Sequence, residues 1–314
     1  MVKMRKADKY FTLIFLLIPS TWAGSFIAAK YVVLEMSAVD SVVYRFLISA
    51  VFMFPGLILF YRSRHPVFRD KGFLWHLLIV VVIGGIAYHL LFFKGMETTS
   101  PTNAALIIAL NPFFTAFGEI IFLKTKRPGR FYLGFILAFS GAVWVNIARG
   151  GEIDFKHLGY GEFYCFLAAL CWSAFTLSAR ITKKPHWDAM WINAYNYLFT
   201  GVFLLPFMTD FNTIFDPLSV SGSAWLGLLY MGFFPTAIGY TLFYIGIQKK
   251  GPAWASTFIY LVPSFTAVFD RLVFSNPFTT AMITGTTFVI GGLFLGNIGQ
   301  KHLDWLKEKM GMKS

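Results

Sequence analysis

The 314-residue chain is 57% hydrophobic, 19% aromatic and only 13% charged, with a mean hydropathy of +0.63. Soluble domains carry about 25% charged residues, so this chain lacks the polar groups to cover a globular surface in water. Its net charge of +12 does not indicate a nucleic-acid partner, because the basic residues fall in short gaps between apolar runs, where charges orient membrane spans.

Apolar runs bounded by charges, glycine or proline predict ten helices, each near the about 20 residues that cross a bilayer. In chain order they are Tyr10–Tyr31, Ser41–Tyr61, Phe73–Phe93, Pro101–Leu123 and Phe131–Ile147, then Gly161–Ile181, Ala189–Met208, Ser223–Ile247, Pro252–Phe274 and Pro277–Ile298. Lys3, Arg5, Lys6 and Lys9 ahead of the first run have the look of a cleaved leader. The same stretch reappears as an internal span, so it is read as a retained helix. The linkers are short and leave no room for a soluble domain. Residues 301–314 form a basic tail with at most a short interfacial helix anchored by Trp305. Cys165 and Cys171 lie six positions apart on one helix, about 9 Å of rise, too far for a disulfide. No Cys/His cluster has metal spacing, and no cofactor is implied.

Basic residues alternate in abundance along the loops. One side collects the N-terminal cluster, Arg62, Arg64, Arg69, Lys71, Lys124, Lys126, Arg127, Arg130, Arg180, Lys183, Lys184, Lys249, Lys250 and the basic tail. The other side holds only Lys30, Lys94, Arg149 and Lys156, and gathers Glu35, Asp40, Glu97, Glu152, Asp154, Asp210 and Asp216. The positive-inside rule therefore predicts cytoplasmic N- and C-termini.

"ALNPFFTAFGEI" from Ala109 and "YLVPSFTAVFDR" from Tyr260 share Leu110/Leu261, Pro112/Pro263, Phe114/Phe265, Thr115/Thr266 and Ala116/Ala267. Each places a carboxylate, Glu119 or Asp270, seven residues past its proline. At the same shift of 151 residues that joins Pro112 to Pro263, about fifteen identities fall between Leu91 and Ile147, on the order of one position in four. One residue of slippage aligns "WAGSFIAAK" from Trp22 with "WSAFTLSAR" from Trp172 and pairs Lys30 with Arg180. The chain is read as two five-helix halves, 1–150 and 151–300. Five is odd, so the second half enters the membrane inverted, an arrangement that makes inward-open and outward-open states nearly equivalent in energy.

These motifs resemble the drug/metabolite transporter superfamily, specifically its ten-helix EamA-type members. The likeness rests on the proline opening each fourth span (Pro101, Pro252), the "NP.FTA" core, the glycine-laced fifth span ending in Asn146 or Asn297, and the tryptophan near the start of each half. It implies a secondary carrier in a bacterial or archaeal cytoplasmic (inner) membrane, with a central cavity between the halves. The substrates it implies are small amphipathic metabolites such as amino acids, often exported. The chain departs from many relatives in carrying Lys124-Thr125 and Ser275-Asn276 where a Gly-Glu follows the fourth span. Nucleotide-sugar and phosphate antiporters of the superfamily are expected to hold paired basic residues in late spans. Only Arg271 is available there, which disfavours a phosphate substrate.

Pro112, Pro263 and Pro235 fall near the middle of spans, where proline removes a backbone bond and kinks the helix. Gly84 and Gly85 occupy the position matching Pro235, so both third spans carry a weak point at equal depth, read as hinges or cavity bends. Trp22 and Trp172 lie mid-span although tryptophan favours the membrane interface, so they are expected to line the cavity. Joining them are Tyr88, His89, Phe92, Asn103, Asn111, Thr176, Tyr240, Tyr244, Thr257 and Tyr260. Aromatic walls with sparse polar groups suit amphipathic ligands. His89 is weighed as a packing group against a carrier of a coupling proton.

The symmetry of the charges suggests two alternating ion pairs, Lys30–Asp270 closing an outer gate and Arg180–Glu119 an inner one. The local alternative pairs Asp270 with Arg45 and Glu119 with Lys124. Gly134/Gly141 and Gly285/Gly292, with Gly296, form small-residue stripes. They suit either tight contact within the monomer or the seam of a weak homodimer. An intramembrane enzyme is disfavoured, since no HExxH, paired histidines or Gly-x-Ser-x-Gly occurs in a span. The remaining rivals are a phosphate-type antiporter and a membrane receptor or scaffold.

Overall fold

Backbone groups in a bilayer have no water to bond, so an apolar chain crosses it as helices that satisfy themselves internally. The computed structural model describes residues 11, 13–60, 70–99, 101–148, 159–182, 184, 187–274 and 279–297, and these contain helices and turns but no strand. The main helical runs are α1 (Leu17–Val32), α2 (Ala38–Phe60), α3 (Lys71–Thr98), α4 (Pro101–Ile108, then Asn111–Leu123) and α5 (Gly129–Ala148). They continue with α6 (Tyr160–Ile181), α7 (Ala189–Leu204), α8 (Gly222–Lys250), α9 (Pro252–Thr257, a 3-10 turn over Phe258–Leu261, then Val262–Phe274) and α10 (Thr280–Asn297).

Leu13–Val32, Ala38–Leu59, Lys71–Thr98, Tyr160–Ile181 and Gly222–Lys250 are long and apolar enough to cross a membrane, and Asn111–Leu123, Gly129–Trp144 and Thr280–Gly292 are shorter apolar helices. Polar side chains turn inward, among them Arg45, His76, His89, Asn111 and Thr200, while Leu59, Leu133, Leu226 and Ile290 face outward. That inside-out distribution is suited to lipid rather than water. The chain is a polytopic membrane protein.

Local signals place the helix starts, and they recur. Ser37 caps α2 through the Asp40 amide and Asp188 caps α7 through the Met190 amide; Asp70 caps α3 through the Gly72 amide and Ser221 caps α8 through the Ala224 amide. The first residues of α2 to α5, Ala38, Lys71, Pro101 and Gly129, reappear 151 positions on as Ala189, Gly222, Pro252 and Thr280. Capping by Asp70 starts α3 two residues before the expected Phe73, and the helix runs on past Phe93 to Thr98. Lys124, in the left-handed conformation (φ 50), ends α4, and Gly251 (φ 103) makes the turn from α8 to α9 that only glycine adopts without strain.

Both weak points in the third spans are real departures from α geometry. Val80–Ala87 in α3, containing Gly84 and Gly85, and Gly232–Tyr240 in α8, containing Pro235, are wound as π-helix. The carbonyls this loosens are taken by side chains. His89 Nδ1 donates to Gly84 O and Gly85 O at 3.0 and 2.9 Å, and Trp22 Nε1 donates to Pro235 O at 3.3 Å. Ser49 reaches Gly232 O at 2.8 Å, and Tyr197 reaches Thr236 O at 2.8 Å. Pro112 and Pro263 each open the second segment of an interrupted helix, after a turn at Ala109–Leu110 in α4 and after the 3-10 turn in α9.

The glycine stripes pack inside the chain. α5 and α10 meet backbone to backbone: a Cβ on Gly134 would stand 2.5 Å from Gly292 O and Gly296 N, and one on Gly141 would stand 2.5 Å from Gly285 O. As the numbering rises along α5 it falls along α10, so the two helices run antiparallel. Cys165 and Cys171 are free thiols.

Candidate functional site

Where the two halves meet, aromatic side chains from α1, α3, α6 and α8 close around a small cavity. Trp22 and Trp172, a repeat pair, stand edge to face with ring centroids 5.5 Å apart and planes at 89°. Tyr240 lies 5.6 Å from Trp22 and 4.9 Å from Trp172, and Tyr88 lies 4.6 Å from Trp172. Phe92 and Phe26 extend the wall, 5.5 Å apart, and Ile108 from α4 with Val262 from α9 complete an apolar side. The space that the centre of a water molecule can reach is ≈ 30 Å³, enough for a couple of waters at about 10–15 Å³ each. Metabolite pockets are roughly 300–1,000 Å³, so this conformation is contracted around its centre.

His89 sits directly behind that wall. Its Nε2 bonds Tyr240 Oη at 3.1 Å, while its Nδ1 is committed to the π-helical carbonyls of its own helix, so the Nδ1 proton and the ring orientation are fixed together. His89 and Tyr240 are themselves repeat mates. The centre therefore contains two pairs of equivalent positions, each pair in direct contact.

Of the residues expected to line the cavity, Trp22, Tyr88, Phe92, Trp172 and Tyr240 do so, and His89 supports them. Asn111 does not. Its amide donates to Ala169 O and Ser173 Oγ at 3.2 and 2.9 Å, tying α4 to α6 beside the Pro112 break. Thr176 and Thr257 bond back to Trp172 O and Trp254 O, the usual refuge of a hydroxyl in an apolar helix. Tyr244 bonds His76 Nε2, and His76 Nδ1 in turn bonds Thr182, a polar cluster away from the cavity. Tyr260 packs against Phe135 and Phe139 of α5. The side chain of Asn103 lies outside the described residues.

The expected inner gate pair is not formed. Arg180 Nη1 donates to Gln248 O at 2.8 Å near the C-terminus of α8, and Lys30 Nζ donates to Met96 O and Thr99 O at 3.0 and 3.2 Å at the C-terminus of α3. Each base thus caps the third span of its own half, where carbonyls lack helical partners and the helix end is negative. Glu119 pairs with Arg127 at 2.7 Å, rather than with Arg180 or Lys124, and accepts the Ala253 amide at 3.0 Å at the start of α9. Its position satisfies an orphan N–H at a positive helix end. The side chain of Asp270 lies outside the described residues.

Arg45 is the residue sequence reasoning undervalued. It is 1% exposed and lines the cavity. Its Nε donates to Thr236 Oγ1 at 2.8 Å, and its Nη2 donates to Tyr240 Oη at 3.0 Å. The signal was present: Arg45 is the sole charge between Ser41 and Tyr61, and an ionisable group inside a span marks function by default. Treating it only as a local partner for Asp270 hid that.

Residues 10–147 and 159–298 each match the EamA-like transporter family. The chain belongs to this family. It carries two EamA repeats and is a membrane transporter. Similar proteins include the uncharacterized transporter YyaM of Bacillus subtilis, 30% identical over 276 residues that cover 86% of this chain and 88% of the relative. YetK of the same organism, also an uncharacterized transporter, is 25% identical over 261 residues, 83% and 78% of the two chains. An uncharacterized transporter of Archaeoglobus fulgidus is 26% identical over 282 residues, 87% and 92%. A solved structure described as "Crystal structure of protein" superposes with a TM-score of 0.70 at 18% identity, covering 93% of this chain and 96% of the other. At that identity the likeness speaks to the fold. This EamA-family chain therefore shares its architecture with a known structure and its transporter class with its relatives.

Proposed function

We propose that this transporter is a secondary carrier of small amphipathic metabolites such as amino acids, built from two inverted five-helix halves and working by alternating access. The observation that carries the reading is the meeting of repeat mates at one buried centre, Trp22 on Trp172 and His89 on Tyr240. In an inverted repeat, equivalent residues that touch lie near the local symmetry axis, where the two open states have to be balanced. The antiparallel contact of α5 with α10 supports inversion, because equivalent spans of inverted halves run in opposite directions. The contracted cavity, flanked by π-helical segments at matched positions, supports a centre that opens when the halves part.

Loop charges support cytoplasmic termini in a bacterial or archaeal cytoplasmic membrane. The motif resemblance to the drug/metabolite transporter superfamily, whose members often export, favours export. The test is flux in proteoliposomes loaded with labelled leucine, phenylalanine and other amphipathic solutes, with and without a pH gradient. A carrier equilibrates its solute and shows counterflow; stimulation by the gradient identifies a coupling proton. Vesicles that retain every solute as empty liposomes do would overturn the reading.

A further inference from the structure

The polar lining of the cavity has a sign. Arg45 commits Nε and Nη2 to the Thr236 and Tyr240 hydroxyls, while Nη1 meets only the Met231 sulfur at 3.8 Å, a weak acceptor. Its guanidinium also lies 5.6 Å from the Tyr240 ring centroid and 6.0 Å from that of Phe93. Among the described residues no carboxylate comes within 4.0 Å of it. Trp172, 3% exposed, lines the same cavity, and its buried indole N–H has no acceptor among the described residues. Trp22, by contrast, spends its N–H on Pro235 O. Among the described residues no aspartate or glutamate lines the space. A cation within a span ordinarily finds a counter-charge, because a buried unpaired charge is costly. Here hydroxyls and rings hold the guanidinium, and Arg45 is itself part of the cavity wall.

We propose that Arg45 and the Trp172 indole form a receptor for the carboxylate of an apolar or aromatic acid, whose body lies against Phe26, Phe92, Ile108 and Val262. The assignment rests on the carrier reading in taking this cavity as the solute site. One bound carboxylate neutralises Arg45, the one cation of the lining among the described residues. A phosphate dianion would leave an excess negative charge with no second base among the described residues of the wall, so the site favours monocarboxylates. A bare ammonium finds no acid there. A zwitterion is held through its carboxylate alone, with the aromatic faces left for its cation.

Equilibrium dialysis of the purified full chain in nanodiscs tests this with four probes of one shape: 3-phenylpropionate, phenylalanine, 3-phenylpropanamide and phenylethylamine. The expected result is that both carboxylates bind on the order of tenfold or more tighter than the amide and the amine, as befits hydrogen bonds to a charged group. In Arg45→Gln the acid-to-amide ratio falls to about one, while Arg45→Lys retains part of it because the charge remains. Trp172→Phe, which keeps the ring, weakens the acid a few-fold and leaves the amide where it was. A merely structural Arg45 would weaken all four probes together. Equal binding of acid and amide by the wild type, no binding of either carboxylate, or a ratio preserved in Arg45→Gln overturns the assignment. Flux is read separately. A chain that moves solutes without an acid preference keeps the carrier reading and loses this receptor, and one that binds acids through Arg45 yet moves nothing does the reverse.

Discussion

Gly134 of α5 and Gly292 of α10 are in backbone contact, and Gly141 and Gly285 repeat that contact further along the same two helices. Without a hydrophobic force between helices in lipid, association depends on such close approach. The contact is crossed: Gly134 is the repeat mate of Gly285, and Gly141 of Gly292, yet each meets the other's mate. Neighbouring glycines give a sharp test. A methyl on Gly292 would strike Ala138 N and Gly134 O, whereas one on Gly291 meets only a Leu137 methyl at 3.9 Å. Gly292→Ala is expected to destabilise by about 1–3 kcal/mol through overpacking, and Gly291→Ala to change stability little. Thermal unfolding of the detergent-purified variants checks this. Equal midpoints would mean that α5 and α10 do not pack as described.

Much of this arrangement could be read before any coordinate. The shift that joins Pro112 to Pro263 also joins the caps Asp70 and Ser221, because identical backbone demands at helix starts select similar side chains. Trp22 and Trp172 announced a cavity by lying where tryptophan is rare. What periodicity could not convey was rotation. An amphipathic face is undefined in a span that is apolar all round, so Asn111, Thr176 and Tyr260 were equally eligible for the cavity and the helix seams, and went to the seams. Nor could spacing distinguish a charge that caps a helix from one that gates a path. Lys30 and Arg180 looked like gate charges and act as caps in this conformation.

The two cavity tryptophans make different bonds and are expected to respond differently to phenylalanine. Trp22→Phe removes the donor to the Pro235 carbonyl, leaving a π-helical acceptor unsatisfied in the membrane at a cost of about 1–3 kcal/mol. Trp172 has no such bond, so Trp172→Phe is expected to leave unfolding temperature close to wild type while lowering solute affinity. Paired thermal and binding measurements separate the two. Loss of stability in Trp172→Phe as large as in Trp22→Phe would remove the distinction.

Gly85 gives the π-helical segment of α3 a partner surface on α7. A Cβ there would collide with Thr200 Oγ1 and come within 2.8 Å of Asn196 Oδ1. Gly85→Ala should therefore push α7 off α3 and cost about 1–3 kcal/mol. Deleting the obstructing hydroxyl in Gly85→Ala/Thr200→Ala should recover part of that loss. A coupling of about 1 kcal/mol in the double-mutant cycle is the expected reading, with turnover following stability. Strict additivity would place the damage in the altered winding of α3 rather than at the contact.

The carboxylate of Glu119 decides whether the symmetric charges are gates or fasteners. Its side chain is 3% exposed and holds Arg127, 25% exposed, at 2.7 Å while accepting the Ala253 amide at the start of α9. Glu119→Gln keeps an acceptor for that amide but discards the ion pair, whereas Glu119→Ala discards both. Alanine is therefore expected to cost about 1 kcal/mol more than glutamine, the worth of an N-terminal cap. A double-mutant cycle between Glu119 and Arg127 should show coupling in thermal stability, while one between Glu119 and Arg180 shows none. The alternating-pair hypothesis makes a different forecast. If Arg180 meets Glu119 in a second conformation, their cycle couples in turnover even though it is silent in stability, and Asp270→Lys with Lys30→Asp restores flux that Asp270→Lys alone abolishes. Because Arg180 now bonds the end of α8 and Lys30 the end of α3, both would first have to release those carbonyls. Stability coupling confined to Glu119–Arg127, with additive turnover in the other two pairs, would assign Glu119 to fastening α4 onto α9 and retire the gate.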